Sequence, residues 1–125
     1  MLIGWAARDV TTTEPVNIPG HFHMRISEGV IDPVTVTALV IESGEDCVIF
    51  LSADLVAIRS FLLDEVRAAV KQKNRQIPVE KILMNATHTH TAPSYYADNP
   101  EEEQPPHDGI EVASSDEYRR FLVEQ

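Results

Sequence analysis

The sequence has 125 residues, 43% hydrophobic and 24% charged, with 20 acidic against 10 basic side chains and a net charge of −10. That length suits one domain, residues 1–125, with a core of its own, and is too short to suggest two. The acidic balance, with basic residues as scattered as Lys71, Lys73 and Arg75, argues against a nucleic-acid backbone or an anionic membrane surface as partner.

The amino terminus, Met1-Leu2-Ile3-Gly4-Trp5, lacks the basic-then-apolar layout of a secretory signal, which fits a cytoplasmic protein if that start is genuine. No stretch approaches the roughly 20 apolar residues of a membrane span. Residues 1–33 are rich in Gly, Pro and Thr and read as irregular or edge structure around short strands. Thr35 to Glu42 is β-branched and apolar, Ser43-Gly44-Glu45-Asp46 is a turn signal, and Cys47 to Ala53 is a second strand, so the pair reads as a hairpin. The lone Cys47 sits in an apolar run and is expected to be a buried, reduced thiol.

From Ser60 to Asn74 the apolar residues Leu62, Val66, Ala69 and Val70 recur at helical spacing. Asp64 and Glu65 are expected in the first turn and Lys71 and Lys73 in the last, as the helix dipole favours. Ile77-Pro78 ends the helical pattern, and Lys81 to Ala86 is a third strand. Strand, helix and strand within about 40 residues make a βαβ unit with parallel strands and a right-handed crossover. The expected fold is therefore α/β, a mixed sheet combining a β-hairpin with a right-handed βαβ unit. Residues 97–116 are acidic and Pro-rich and read as a long loop. Asp116 to Glu124 reads as a further helix capped by Ser115, with Tyr118, Phe121 and Leu122 on one face. The chain stops inside that element, so the expectation is an incomplete, amino-terminal portion of a larger domain.

Chemistry concentrates in Thr87-His88-Thr89-His90-Thr91, directly after the apolar run Ile82-Leu83-Met84 and closed by Ala92-Pro93. Alternation along a strand would turn both imidazoles the same way. Ligand sites of parallel sheets lie beyond the carboxyl ends of the strands. Asp54 follows the second strand and His88 the third, so both should emerge at one sheet edge. Imidazole is the commonest metal-binding side chain, yet a metal site needs three or four ligands and an H-x-H pair offers two. His21 and His23 form a second pair in a loop-like region, and His21 is a candidate to line the site. His107 and the Glu101-Glu102-Glu103 run read as solvated surface, and Arg25 either as a binder of a carboxylate or, the expected role, as the partner of a surface acid. Tyr95 and Tyr96 could either wall a substrate channel or pack.

The order of segments resembles the neutral/alkaline, non-lysosomal ceramidase family. Ile3-Gly4-Trp5-Ala6-Ala7-Arg8-Asp9-Val10-Thr11 is similar to its opening G-x-A-x-x-D-I-T motif. Gly29-Val30-Ile31-Asp32-Pro33 leading into Thr37–Glu42 looks like its first strand, and Val48 to Asp54 like its next. Asn85-Ala86-Thr87-His88-Thr89-His90-Thr91-Ala92-Pro93 resembles its (S/A)-(G/A)-T-H-T-H-(S/T)-(G/A)-P signature. The match runs from about residue 3 to residue 96, and the T-H-T-H-x-x-P element is its most specific part.

The resemblance implies zinc-dependent hydrolysis of an N-acyl amide, releasing a fatty acid from a sphingoid base. It makes His88 a zinc ligand and His90 the residue beside the reacting centre. Asp54, Thr87, Thr89, His21 and Tyr95 are then candidates for substrate contact or for supporting the ligands, with the threonine hydroxyls orienting the rings. The family's remaining zinc ligands, a further His, a Glu and a Tyr, lie well downstream, so this chain alone is expected to bind zinc weakly and turn over nothing. Ala92 and Ser94 stand where the family often has Gly. Two other readings remain open: a metal amidohydrolase in which His88 and His90 chelate one ion, and a non-catalytic acidic domain.

Overall fold

A computed structural model describes residues 1–97 and 109–125 of the chain. Most of the expected acidic loop, with Glu101-Glu102-Glu103 and His107, lies outside the described residues. The elements are β1 (Leu2–Asp9), β2 (Thr35–Ser43), β3 (Asp46–Ala53), α1 (Ser60–Lys73), β4 (Ile82–Ala86) and α2 (Ser115–Glu124), with a short 3₁₀ turn at Val79–Lys81 before β4. They form one four-stranded mixed sheet in the order β1-β2-β3-β4. β1, β2 and β3 are antiparallel neighbours, and β4 joins β3 in parallel after the crossover through α1. The expected α/β architecture, hairpin and βαβ unit are all present.

Gly44 explains the hairpin. Ser43 pairs with Asp46, leaving a two-residue loop whose first member, Gly44, has φ 64°. A side chain there would be strained, and glycine is the residue such tight hairpins demand. Within residues 1–33, expected to be irregular or edge structure around short strands, β1 is the edge strand, paired with β2 from Leu2↔Glu42 to Asp9↔Thr35 and longer than expected. Three sequence expectations need correction. Asp64 and Glu65 fall beyond the first turn of α1, which holds no acid, while Lys71 and Lys73 do occupy its last turn. Ser114 caps α2, and Ser115 is its first, buried residue. Cys47, at the outer end of β3, is free but only half-buried.

The two sheet faces differ. On one, the register aligns Ala6, Ala38, Leu51 and Met84, and Val66, Ala69 and Val70 of α1 and Leu122 of α2 line the same space. The core lies toward the carboxyl end of this layer: Val10, Ala53, Leu55, Leu62, Tyr95, Tyr118 and Leu122 are buried together. Each large apolar side chain buried there contributes about 1.5–3 kcal/mol. The Tyr118 hydroxyl donates to the Val10 carbonyl at 3.0 Å, satisfying its one polar atom. α2 is bound to α1 by Arg119, which pairs with Glu65 at 3.2 Å and lies over the Phe61 ring.

On the other face, Trp5, Leu39, Phe50 and Leu83 form one cross-strand row. Trp5 is 78%, Phe50 37% and Leu83 48% exposed, with Ile3 of the adjoining row at 56%. An apolar stripe of this kind marks a contact surface, in keeping with part of a larger α/β domain.

Beyond the strand ends, Asp54 is the fastener. One carboxylate oxygen accepts from the backbone N–H and the hydroxyl of Thr35, both at 2.9 Å, and the other accepts from the Thr87 hydroxyl at 3.2 Å. The start of β2 and the exits of β3 and β4 thus share one side chain. Replacing Asp54 with Asn removes acceptor capacity and charge, and should cost about 1–3 kcal/mol by denaturant unfolding; Thr87→Val, which removes one bond, should cost about 0.5–1.5 kcal/mol. The α2 cap provides a pH test. Glu117 accepts from the Ser114 backbone N–H and hydroxyl, which hold its carboxyl below the ordinary glutamate value. A depressed folded pKa adds stability that is complete above about pH 4.3, the unfolded value, and fades as pH falls through the lower folded one. Acid titration of stability should therefore be shallower in Glu117→Gln than in the parent protein.

Candidate active site

The signature leaves the sheet at Ala86 and keeps bonding to the end of β3 and the residues that follow it. Thr87 N–H donates to the Ala53 carbonyl at 2.9 Å and His88 N–H to the Leu55 carbonyl at 3.0 Å. His88 has φ 63°, in the left-handed region, where a non-glycine residue is held at a cost of about 1–3 kcal/mol. Strand alternation therefore does not bring the two imidazoles together, because the strand has already ended. The turn at His88 does so, with ring centroids 5.0 Å apart and Nε2 atoms at 3.5 Å.

The His88 ring has a defined tautomer. Its Nδ1 lies 2.6 Å from the Val56 carbonyl, and a carbonyl can only accept, so Nδ1 carries the hydrogen. A neutral ring with Nδ1–H carries its lone pair on Nε2, the arrangement that metal-bound histidines share. The expected orienting role of the threonine hydroxyls is replaced by this carbonyl. Thr87 spends its hydroxyl on Asp54, and Thr89 faces the Thr91 hydroxyl at 2.9 Å. Asp54 and His88 emerge at the same sheet edge, with Asp54 serving the backbone frame beneath the rings.

His21 joins the cluster from a different part of the chain. The segment 16–27 doubles back on itself, with Ile18 N–H bonded to the Arg25 carbonyl at 2.8 Å and Ser27 N–H to the Val16 carbonyl at 2.9 Å. Ser94 N–H donates to the Asn17 carbonyl at 2.8 Å, pinning this loop to the signature segment. The His21 ring centroid is 6.1 Å from that of His90 and 5.6 Å from that of His23. The nearby Arg25 guanidinium holds the His21 pKa below the ordinary imidazole value, and partial desolvation and the neighbouring His23 and His90 act in the same direction. His21 is thus biased toward the neutral form.

Arg25 differs from its expected surface pairing. Its guanidinium donates to the backbone carbonyls of Pro19 at 3.1 Å and His90 at 2.5 Å. Tyr95 resolves toward packing. It is 1% exposed, its hydroxyl donates to the Ala57 carbonyl at 3.0 Å and accepts from Arg59 N–H at 2.7 Å, and burial raises its pKa. Tyr96, rather than Tyr95, lines a cavity of about 250 Å³ with Gly20, His21 and His23. Sequence reading missed Gly20. A Pro-Gly pair before a histidine was the available signal, but only the fold reveals what the glycine faces.

Two imidazoles with adjacent Nε2 atoms can hold part of a cation's donor set, hydrogen-bond an oxyanion, or pass a proton. Among the described residues no group of three or more His, Cys, Asp or Glu side chains is arranged to hold a metal ion. No helix among them is long and apolar enough to cross a membrane.

No protein-family model matches the chain, and no curated protein does. Solved structures do. Neutral ceramidase from Pseudomonas aeruginosa is similar with a TM-score of 0.66 and 26% identity over 74% of this chain. A ceramidase complexed with C2 shares the fold over 74% of the chain, with a TM-score of 0.56 and 21% identity. The chain spans 16% and 15% of the lengths of those two proteins. Over 74% of its length the chain is thus similar in fold to part of neutral ceramidase.

Proposed function

We propose that this chain supplies part of the active site of a zinc-dependent hydrolase that cleaves the amide bond of N-acyl sphingoid lipids such as ceramide. The observation carrying the reading is the His88 ring, fixed by the Val56 carbonyl at 2.6 Å so that its Nε2 carries the lone pair, 3.5 Å from Nε2 of His90. The donor chemistry fits zinc, which takes neutral imidazole nitrogen readily, and the buttressed Nδ1–H is the support such a ligand needs. When bound, zinc acidifies a water molecule and polarises the scissile carbonyl.

The residues of this chain do the rest. His88 holds its lone pair at a fixed position without waiting for a rotamer change. His90 lies within hydrogen-bond reach of the same point and can donate to the oxygen that gains charge, or carry a proton to the leaving amine. His21, beside the Arg25 guanidinium, is biased toward its neutral form, in which it can donate or accept a hydrogen bond at the edge of the cluster. The lipid substrate is supported by the ceramidase likeness.

The two imidazoles are fewer donors than a zinc site uses, so the 125-residue chain by itself should bind zinc weakly and show no turnover. A second reading has a specific observation behind it. Two donors at bond lengths of about 2.0–2.1 Å on a tetrahedral ion lie roughly 3.3–3.4 Å apart, close to the 3.5 Å between the Nε2 atoms of His88 and His90. On that reading both rings chelate.

Single substitutions in the intact protein separate the two. His88→Ala should abolish both stoichiometric zinc by metal analysis and hydrolysis of a fluorogenic N-acyl sphingosine. His90→Ala should keep zinc and lower kcat by about 10²–10⁴-fold, the range typical of a lost acid–base or oxyanion group. Zinc lost along with His90 would favour chelation by both rings. Full activity in either variant, or a metal-free and fully active parent protein, would overturn the proposal.

A further inference from the structure

We propose that Gly20 and Arg25 are positioning residues for His90, the glycine providing the surface against which the imidazole rests and the arginine locking that surface to the His90 backbone. The inference rests on the proposed role of His90 for its functional meaning; its geometry stands separately. Gly20 has φ 97°, a conformation side chains rarely adopt. A Cβ built there would lie 2.5 Å from Cγ, 2.6 Å from Nδ1 and 2.9 Å from Cδ2 of the His90 ring. Those distances are far inside van der Waals contact, so the ring lies directly against the bare backbone of Gly20. Conformation and proximity each require glycine here.

Contact alone would not hold the ring, because residues 18–25 form an excursion that could lift away from the signature. Arg25 prevents that. One nitrogen, Nη2, donates to the Pro19 carbonyl at 3.1 Å and to the His90 carbonyl at 2.5 Å. The residue before the glycine and the residue carrying the ring are thus joined through a single cationic donor, and bonds from charged donors are the stronger kind. The Ser94 N–H bond to the Asn17 carbonyl at 2.8 Å closes the other side of the excursion. With its backbone fixed by Arg25 and its face covered by Gly20, the His90 ring has little freedom except the direction that leaves Nε2 beside His88.

The test uses the protein labelled with ¹³C and ¹⁵N at histidine and glycine. In the parent, a nuclear Overhauser contact between the Gly20 α-protons and the His90 ring is expected. Gly20→Ala should displace the His90 ring resonances, and Arg25→Gln should abolish the Gly20–His90 contact. Arg25→Lys should retain the contact, because an ammonium can serve both carbonyls as Nη2 does, and it carries the test if the glutamine variant does not fold. Ser114→Ala, which removes the remote α2 cap, controls for a general loss of stability and should leave the contact intact.

Hydrolysis by the intact enzyme to which this chain is proposed to belong provides a second readout: Arg25→Gln should lower kcat by about 100-fold, the effect of misplacing a reacting group by about 1 Å, with KM nearly unchanged and Arg25→Lys partly restored. A folded Arg25→Gln protein with an unaltered Gly20–His90 contact would overturn the inference, as would equal loss of that contact in Ser114→Ala. An intact enzyme containing this chain that hydrolyses no N-acyl sphingosine would count against the proposed function and leave the spectroscopic result standing.

Discussion

The arrangement depends on the parallel junction between β3 and β4 continuing past the end of the sheet. Four bonds from Thr87 and His88 reach back to the last residue of β3 and the segment after it: two from backbone N–H groups, one from the Thr87 hydroxyl to Asp54, and one from His88 Nδ1 to Val56. Together they over-determine a backbone conformation that would otherwise be unfavourable, φ 63° at His88. Local strain persists only where several interactions converge to hold it. Here they also fix the tautomer and direction of one imidazole.

Asp54 links that junction to the rest of the fold. A carboxylate serving three donors from two other segments is a strong, directional fastener. It lies at the carboxyl edge of the sheet, where the diverging ends of adjacent strands create the opening that open α/β sheets use for ligands. The core beneath, around Ala53, Leu55 and Tyr95, keeps this edge rigid. Tyr95 contributes by tying both Ala57 and Arg59 through one hydroxyl, which holds the segment that also supplies the Val56 carbonyl.

The sheet is unequally covered. Helices α1 and α2 pack one face, while the row through Trp5, Phe50 and Leu83 stays exposed on the other. The same inequality holds at the site, where two imidazoles and two loops meet without a full ligand set among the described residues. The ceramidase structures that share this fold are much longer, the chain spanning 16% and 15% of their lengths.

The sequence alone determined the periodicities and punctuation. β-Branched apolar runs on either side of the Ser43–Asp46 turn specified the hairpin, the spacing of Leu62, Val66 and Val70 specified α1, and the signature marked where chemistry would concentrate. It also placed Asp54 and His88 at one edge, because a parallel crossover leaves little choice of topology. What only the tertiary structure decided lies in contacts between residues far apart in the chain. Arg25 and His90 are 65 positions apart, and Gly20 meets the His90 ring across a similar span. The carbonyl that orients His88 belongs to a residue 32 positions earlier. A backbone carbonyl is the same group at every position, so no sequence pattern distinguishes the one that will orient a ring. The full extent of β1 likewise follows from pairing with β2, since an edge strand exposed along its whole length lacks the apolar–polar alternation that burial imposes.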